Sequence, residues 1–277
     1  MTLSVRNNCF KAEIIAAAAA LILIGSVSFI IFPIYPDVAD ASVRRSAGLI
    51  QRFITGILEP APYAPFVSML GAAVYSLTSV ALIYYFFEKT QAPEIFFVSL
   101  FVISLSFECI RIMVPLQAAL ELSTVYLITT SRILVFGRYF GLFSLFAASV
   151  CAAGLEIQKQ QNIVFATIAA ALIIALGIPI DGLSWDSSLN MLSGSLSMFI
   201  MVEAGILVIT AASFFVSAYT RGSKAYIFIG LGTLLVYAGR NMLLSSDTWI
   251  TPVPGLVILG AGTWFICTHL HRVYLWL

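Results

Sequence analysis

Residues 95–115 read IFFVSLFVISLSFECIRIMVP, a run in which Glu108 is the single acidic residue and Arg111 the single basic one. The hydrocarbon core of a bilayer is about 30 Å thick, and an α-helix of about 20 apolar residues crosses it. Backbone polar groups in hydrocarbon must be satisfied within the segment, and a helix does this on its own. The run is therefore predicted to be a transmembrane helix that carries two ionisable groups.

The whole chain has the composition of a protein embedded in lipid. Of its 277 residues, 61% are hydrophobic and 10% are charged, and the mean hydropathy is +1.02. Soluble domains carry about 25% charged residues. This difference excludes a soluble enzyme, a disulfide-stabilised secreted domain and a disordered chain. The formal net charge of +1 shows no excess of basic residues of the kind that binds nucleic acid, so no nucleic-acid partner is expected.

Seven other apolar runs of similar length predict seven further spans. In chain order, the eight spans cover about residues 13–33, 64–87, 95–115, 125–153, 162–181, 195–219, 225–244 and 253–275. Prolines and polar residues separate them, as is typical of helix ends. The sequence thus predicts an all-α, polytopic bundle of about eight transmembrane helices. We divide it into an N-terminal anchor (1–33), an external loop (34–63) and a seven-helix core (64–277).

The orientation of the bundle follows from Lys and Arg, which are enriched in cytoplasmic loops. With the N-terminus inside, seven of these residues lie on the cytoplasmic side: Arg6, Lys11, Lys89, Lys159, Arg221, Lys224 and Arg272. Arg44, Arg45 and Arg52 lie outside, in a loop whose apolar residues recur at helical spacing from Val43 to Leu58. We predict a short amphipathic helix there. Both termini are predicted to be cytoplasmic, with the bacterial inner membrane as the location.

A cleaved signal peptide is an alternative for the first span. Arg6 and Lys11 precede an apolar run, and Ala39-Asp40-Ala41 fits a cleavage pattern. The apolar run from Ile14 to Phe32 is longer than the roughly 7–15 residues of a signal peptide. This length favours an uncleaved anchor, and cleavage would leave seven helices.

Ionisable residues inside spans are the most informative about function, because each costs at least about 2.5–3.5 kcal/mol at the bilayer centre unless it is paired or hydrated. They are Glu108 and Arg111 in span three, Arg132 and Arg138 in span four, Glu203 in span six, and Arg240, beside Asn241, in span seven. Given the direction of each span, most lie within roughly 5–20 Å of the outer boundary. We therefore predict that these side chains meet at one depth.

Four guanidinium groups against two carboxylates leave a positive excess at that depth. Arg stays protonated, and its planar donors suit a phosphate or a carboxylate. The seven residues thus predict an outward-facing polar cavity that binds a small anionic ligand or a lipid headgroup. In the alternative interpretation each Glu pairs with one Arg and the other arginines extend to the outer headgroups, above all Arg111 and Arg132.

Three classes of function fit this pattern. A binding or sensing protein that acts through a membrane protein partner fits best. A transporter of an organic anion needs a path through both leaflets, whereas the inner halves of the predicted spans contain few ionisable residues. An intramembrane lipid-modifying enzyme needs paired catalytic groups, but His269 and His271 lie at the opposite end from the glutamates. No catalytic residue, metal site or cofactor is predicted.

Overall fold

The protein is a helical membrane bundle. The computed structural model describes residues 2–32, 61, 63–90, 92–154, 160–186, 188–193 and 196–275. Eight helices in these ranges are long and apolar enough to cross a membrane. This finding confirms the predicted polytopic, helical fold class. The amphipathic helix predicted from Val43 to Leu58 and the Ala39-Asp40-Ala41 pattern lie outside the described residues.

The helices keep close to the predicted spans, and a short hairpin joins two of them. In chain order the elements are α1 (Leu3–Ile31), α2 (Ala64–Phe87), α3 (Pro93–Ser104), a 3-10 helix (Leu105–Ile112), α4 (Met113–Leu120), α5 (Thr124–Ala152), α6 (Gln160–Gly177), β1 (Ile180–Trp185), β2 (Met191–Ser193), α7 (Leu196–Thr220), α8 (Ala225–Leu244) and α9 (Pro252–Leu275). The third span therefore consists of α3, the 3-10 helix and α4, joined end to end.

Helix α1 begins ten residues before the predicted start of the first span. Arg6 is buried, and its guanidinium donates to the carbonyl oxygens of Phe87 and Glu88, both at 2.9 Å, and to that of Thr90. These carbonyls lie at the end of α2 and just after it, where carbonyl oxygens lack partners within the helix, and that of Phe87 also accepts the Thr90 N–H at 3.1 Å. Arg6 thus caps the C-terminal end of α2, and this contact explains why the polar N-terminal residues belong to α1.

Both described ends of the chain lie at the same end of the bundle. Arg6 of α1 binds the Phe87 carbonyl, and the Phe87 ring packs edge-on against His271 of α9, with 5.6 Å between centroids. We call this the inner end, following the predicted orientation, and the opposite end the outer end. Helix α1 packs along α2 and the third span. The division into an anchor and a seven-helix core stays a prediction.

Helix α5 packs closely against the third span at two glycines. A Cβ on Gly137 would lie 2.5 Å from the Cβ of Phe107, and one on Gly141 would collide with the Ser104 side chain. Small residues allow transmembrane helices to approach this closely. Arg138, which lies between the two glycines in sequence, is thereby held beside the 3-10 helix.

A second close contact joins α8 to α9. A Cβ on Gly239 would lie 2.6 Å from the backbone nitrogen of Leu259, so the two backbones nearly touch. Arg240, the next residue, is therefore fixed in a tightly packed part of the bundle, where it is 1% exposed. Local glycine packing thus positions both Arg138 and Arg240.

Replacing Gly137 by Leu should destabilise the bundle, because the new side chain must displace Phe107. Overpacking of this kind costs about 1–3 kcal/mol. Gly25→Leu is the matched control, since nothing lies within 4 Å of a Cβ at Gly25. Thermal unfolding in detergent should show a lower Tm for Gly137→Leu and little change for Gly25→Leu. Equal Tm values would contradict the close packing of α5 on the third span.

Candidate functional site

A bidentate ion pair between two spans lies at the centre of the site. The Arg138 Nε donates to Glu108 Oε1 at 2.8 Å, and its Nη2 donates to Oε2 at 2.9 Å. Glu108 is 3% exposed. Paired, parallel hydrogen bonds of this geometry are the strongest that guanidinium and carboxylate groups make. The pair joins α5 to the 3-10 helix within the predicted membrane region.

Arg111 binds the same carboxylate and ties it to two other helices. In a 3-10 helix residues i and i+3 lie directly above one another, and Arg111 Nη1 is 3.4 Å from Glu108 Oε2. Its Nη1 also donates to the Leu244 carbonyl at 3.3 Å, and its Nη2 to Ser68 Oγ at 2.9 Å. Glu108 therefore receives two guanidinium groups, and α2 and the end of α8 are tied to it through Arg111.

The hairpin between α6 and α7 closes the outer end of this cluster. Strands β1 and β2 are antiparallel, and β1 lies against α5. In the turn, Asp186 Oδ1 accepts hydrogen bonds from the backbone nitrogens of Ser188 (2.8 Å) and Asn190 (3.1 Å). The turn also holds Leu189 at a positive φ of 59° and buries its side chain. Asp186 thus organises a turn that inserts into the bundle.

Asn190, next in the turn, completes the hydrogen bonding of the ion pair. Its Oδ1 accepts from Arg138 Nη2 at 2.6 Å, and its Nδ2 donates to the Leu244 carbonyl at 3.1 Å. Arg111 and Asn190 therefore share one acceptor at the end of α8. Asn190 was not among the predicted site residues, because nothing in the sequence indicates that its side chain faces Arg138.

Arg240 and Glu203 form a second, looser pair beside the first. Arg240 Nη1 is 3.7 Å from Glu203 Oε2, and Arg240 Nη2 donates to the Arg138 carbonyl at 3.4 Å. Tyr237 contacts both residues. Its hydroxyl donates to Glu203 Oε2 at 3.3 Å, and the centre of its ring is 5.9 Å from the Arg240 guanidinium carbon. A continuous polar network therefore runs from α2 to α7.

Three buried donors in this network have no acceptor among the described residues. They are Arg111 Nε, Arg240 Nη1 and the Tyr139 hydroxyl. A buried polar group without a partner costs about 1–3 kcal/mol. No carboxylate oxygen of Glu108 or Glu203 is left unpartnered in the same way. The outer cluster has more hydrogen-bond donors than acceptors.

Five of the seven predicted site residues are in contact with one another, directly or through a shared partner: Glu108, Arg111, Arg138, Glu203 and Arg240. Asn241 interacts with Tyr237 at the edge of the network. Arg132 is exposed on α5 and makes no hydrogen bond or ion pair with any other residue that the structure describes. Besides Asn190, the sequence analysis missed Tyr139, Tyr237 and Ser68.

Buried carboxyl groups also occur in the inner half, which corrects the expectation of few ionisable residues there. Glu13 accepts a hydrogen bond from Ser99 at 3.3 Å, and Glu94 accepts one from Tyr274 at 2.5 Å. Each is under 10% exposed, and the second carboxyl oxygen of each has no partner among the described residues. From its place at the cytoplasmic start of the first span, Glu13 was expected to be hydrated, and this expectation is wrong, because Glu13 is buried where α1 packs against α3.

The remaining candidates do not extend the site. His269 stacks on Phe228, with 4.8 Å between ring centroids, at the inner end of α9. Within the described ranges no group of three or more His, Cys, Asp or Glu side chains is arranged to hold a metal ion. The side chains of the outer cluster can supply hydrogen bonds and charge to a ligand.

Comparison with known proteins gives one distant relative and no functional description. The chain is 23% identical, over 266 aligned positions, to an uncharacterized protein of Treponema pallidum (strain Nichols), covering 78% of this chain and 77% of that protein. No protein-family model matches the chain, and no solved structure matches it. The site must therefore be interpreted from its own geometry.

Replacing Asp186 by Ala should loosen the hairpin turn and release Asn190 from Arg138. Two backbone N–H groups lose their acceptor, at a net cost of about 1–3 kcal/mol. Asp186→Asn is the matched control, because its amide oxygen can still accept both hydrogen bonds. Thermal unfolding should give a lower Tm for Asp186→Ala than for Asp186→Asn. The same Tm for both variants would contradict the structural role of the turn.

Proposed function

We propose that this chain is an integral membrane protein that binds the anionic group of a small ligand or a lipid headgroup at its outer cluster. The observation that carries the proposal is a set of three buried donors for which the described part of the chain offers no acceptor: Arg111 Nε, Arg240 Nη1 and the Tyr139 hydroxyl. A phosphate or carboxylate would supply the missing acceptors. The bilayer that surrounds the bundle is its first partner, and the bacterial inner membrane is the proposed location.

We propose that the protein senses the ligand, so that binding at the outer cluster changes the packing of the helices. The network joins α2, the 3-10 helix, α5, the hairpin, α7 and α8, so a ligand that engages its donors would affect the packing of all of them. A 3-10 stretch within a longer helix often marks a hinge, and here it carries Glu108 and Arg111. We propose that a membrane protein partner detects the resulting change in helix packing.

Transport of an organic anion is the second candidate, and one observation favours it. The buried carboxyl groups of Glu13 and Glu94 provide polar groups in the inner half of the bundle. A transporter needs such groups along a path beyond the outer cluster. Uptake of a radiolabelled organic anion into proteoliposomes, against liposomes without protein, separates the two candidates: uptake above that background supports transport, and its absence supports sensing.

Arg240→Leu should at least halve the stabilisation by an anionic probe, because it removes a buried donor and its charge. The probes are inorganic phosphate and dioleoyl phosphatidylglycerol, added to the chain in a neutral detergent. A saturating ligand stabilises by about 2.7 kcal/mol at one hundred times its Kd. This corresponds to a rise in Tm of about 5 °C or more for a chain of this size. The loss of one charged hydrogen bond weakens binding about tenfold or more.

Arg272→Leu is the matched control, since Arg272 is exposed in the last turn of α9 at the inner end. It should keep the full rise in Tm with either probe. The proposal fails if neither probe raises the Tm of the unmodified chain, or if both variants respond as that chain does.

A further inference from the structure

The outer cluster consists of two halves that differ in how well their hydrogen bonds are satisfied. In the closed half, both oxygens of Glu108 accept hydrogen bonds from Arg138, and Asn190 accepts a third from the same guanidinium. In the open half, Arg240 Nη1 stands 3.7 Å from Glu203 Oε2, which is longer than a hydrogen bond. A ligand can engage the open half without breaking the bidentate pair.

The charges of the open half are equal and opposite. It contains the Arg240 guanidinium and the Glu203 carboxylate. The hydroxyls of Tyr139 and Tyr237 lie near these two charges. A purely anionic group that approaches Arg240 also meets the Glu203 carboxylate, and like charges repel. A group with a positive charge next to its negative one would be attracted by both residues.

The position of Glu203 indicates the side from which such a group arrives. The Glu203 side chain is 20% exposed, whereas that of Arg240 is 1% exposed. Glu203 lies on α7, and Ile200, about one turn before it on the same side of this helix apolar enough to span the bilayer, is 60% exposed. The open half is therefore approached from the surface that the bundle presents to lipid.

We propose that the open half binds a zwitterionic group, a phosphate joined by a short linker to a primary ammonium. The phosphate oxygens accept from Arg240 Nη1 and the Tyr139 hydroxyl, and the ammonium donates to Glu203. This inference rests on the proposed function and narrows its ligand from any anionic group to a phosphate–ammonium zwitterion. The same chemistry occurs in the headgroup of phosphatidylethanolamine and in free phosphoethanolamine, and lateral access favours the lipid.

The test compares the rise in Tm of the full chain, purified in dodecyl maltoside, with five added probes. Three are dioleoyl lipids at equal mole fraction: phosphatidylethanolamine, phosphatidylglycerol and diacylglycerol. Two are water-soluble: phosphoethanolamine and inorganic phosphate. We expect phosphatidylethanolamine to give the largest rise and diacylglycerol none. A rise with phosphoethanolamine equal to that with the lipid would identify a soluble zwitterion as the ligand and still support the proposal.

Two variants separate the contributions of the ammonium and the phosphate. Glu203→Gln should weaken binding of phosphatidylethanolamine about tenfold, because a charged hydrogen bond to the ammonium is lost, and should leave phosphatidylglycerol binding undiminished. Its control is Glu121→Gln, an exposed residue at the end of α4. Each rise is measured from the variant's own baseline, since loss of the Arg240 partner lowers the starting Tm.

Tyr139→Phe keeps the test decisive if Glu203→Gln does not fold. The Tyr139 hydroxyl has no partner among the described residues, so its removal breaks no hydrogen bond with them and should leave the baseline Tm unchanged or slightly raised. It should reduce the rise with both phosphatidylethanolamine and phosphatidylglycerol. Tyr85→Phe is the matched control, because Tyr85 is 77% exposed near the inner end of α2.

The outcomes distinguish this inference from the proposed function. If phosphatidylglycerol stabilises the unmodified chain as much as phosphatidylethanolamine does, the zwitterion is wrong while an anion site stands. If Glu203→Gln loses both lipids equally, the ammonium has no role and the inference is likewise wrong. If no probe differs from diacylglycerol, both the inference and the proposed function are overturned.

Discussion

Glu108 and Arg138 constrain how the neighbouring spans can pack. Removing a carboxylate and a guanidinium from water costs several kcal/mol each, and Arg cannot lose its charge. The bidentate contact at 2.8 and 2.9 Å compensates this cost only if α5 lies close to the 3-10 helix. Gly137 and Gly141 allow that approach. The hairpin, Arg111 and Arg240 pack around this pair.

The network also explains why the outer end of the bundle contains so many polar side chains. If Glu108 were their only acceptor, Arg111 and Arg138 would each keep hydrogen-bond donors without a partner. Asn190, Ser68 and the Leu244 carbonyl accept some of these hydrogen bonds, each from a different element. Arg240 and Tyr139 each keep a donor that no residue described by the structure accepts from. Within one network of charged side chains, the closed half thus stabilises the bundle, and the open half is the part proposed to bind a ligand.

The sequence predicted the spans well because hydrophobic length is a local property. The ion-pair residues were also predictable, since a charge inside an apolar run is conspicuous and the direction of each span places it in depth. Asn190, Tyr139 and Tyr237 could not be predicted, because their roles depend on which residue of another element they face. Neither the 3-10 stretch around Glu108 nor the buried state of Glu13 follows from composition. The first depends on tertiary packing, and the second on the packing of α1 against α3, where Ser99 donates to the Glu13 carboxylate.

The central claim is that Glu108 and Arg138 stabilise the bundle as a coupled pair, and a double-mutant cycle tests it directly. The free energy of unfolding in mixed detergent micelles is measured for the unmodified chain, Glu108→Gln, Arg138→Gln and the double variant. Glu108→Gln should cost about 3–5 kcal/mol, because it leaves both Arg138 and Arg111 without their carboxylate. Arg138→Gln should cost less, because Glu108 keeps Arg111. The double variant should cost no more than Glu108→Gln, so that the coupling energy equals about the full cost of Arg138→Gln. Costs that simply add would contradict the claim.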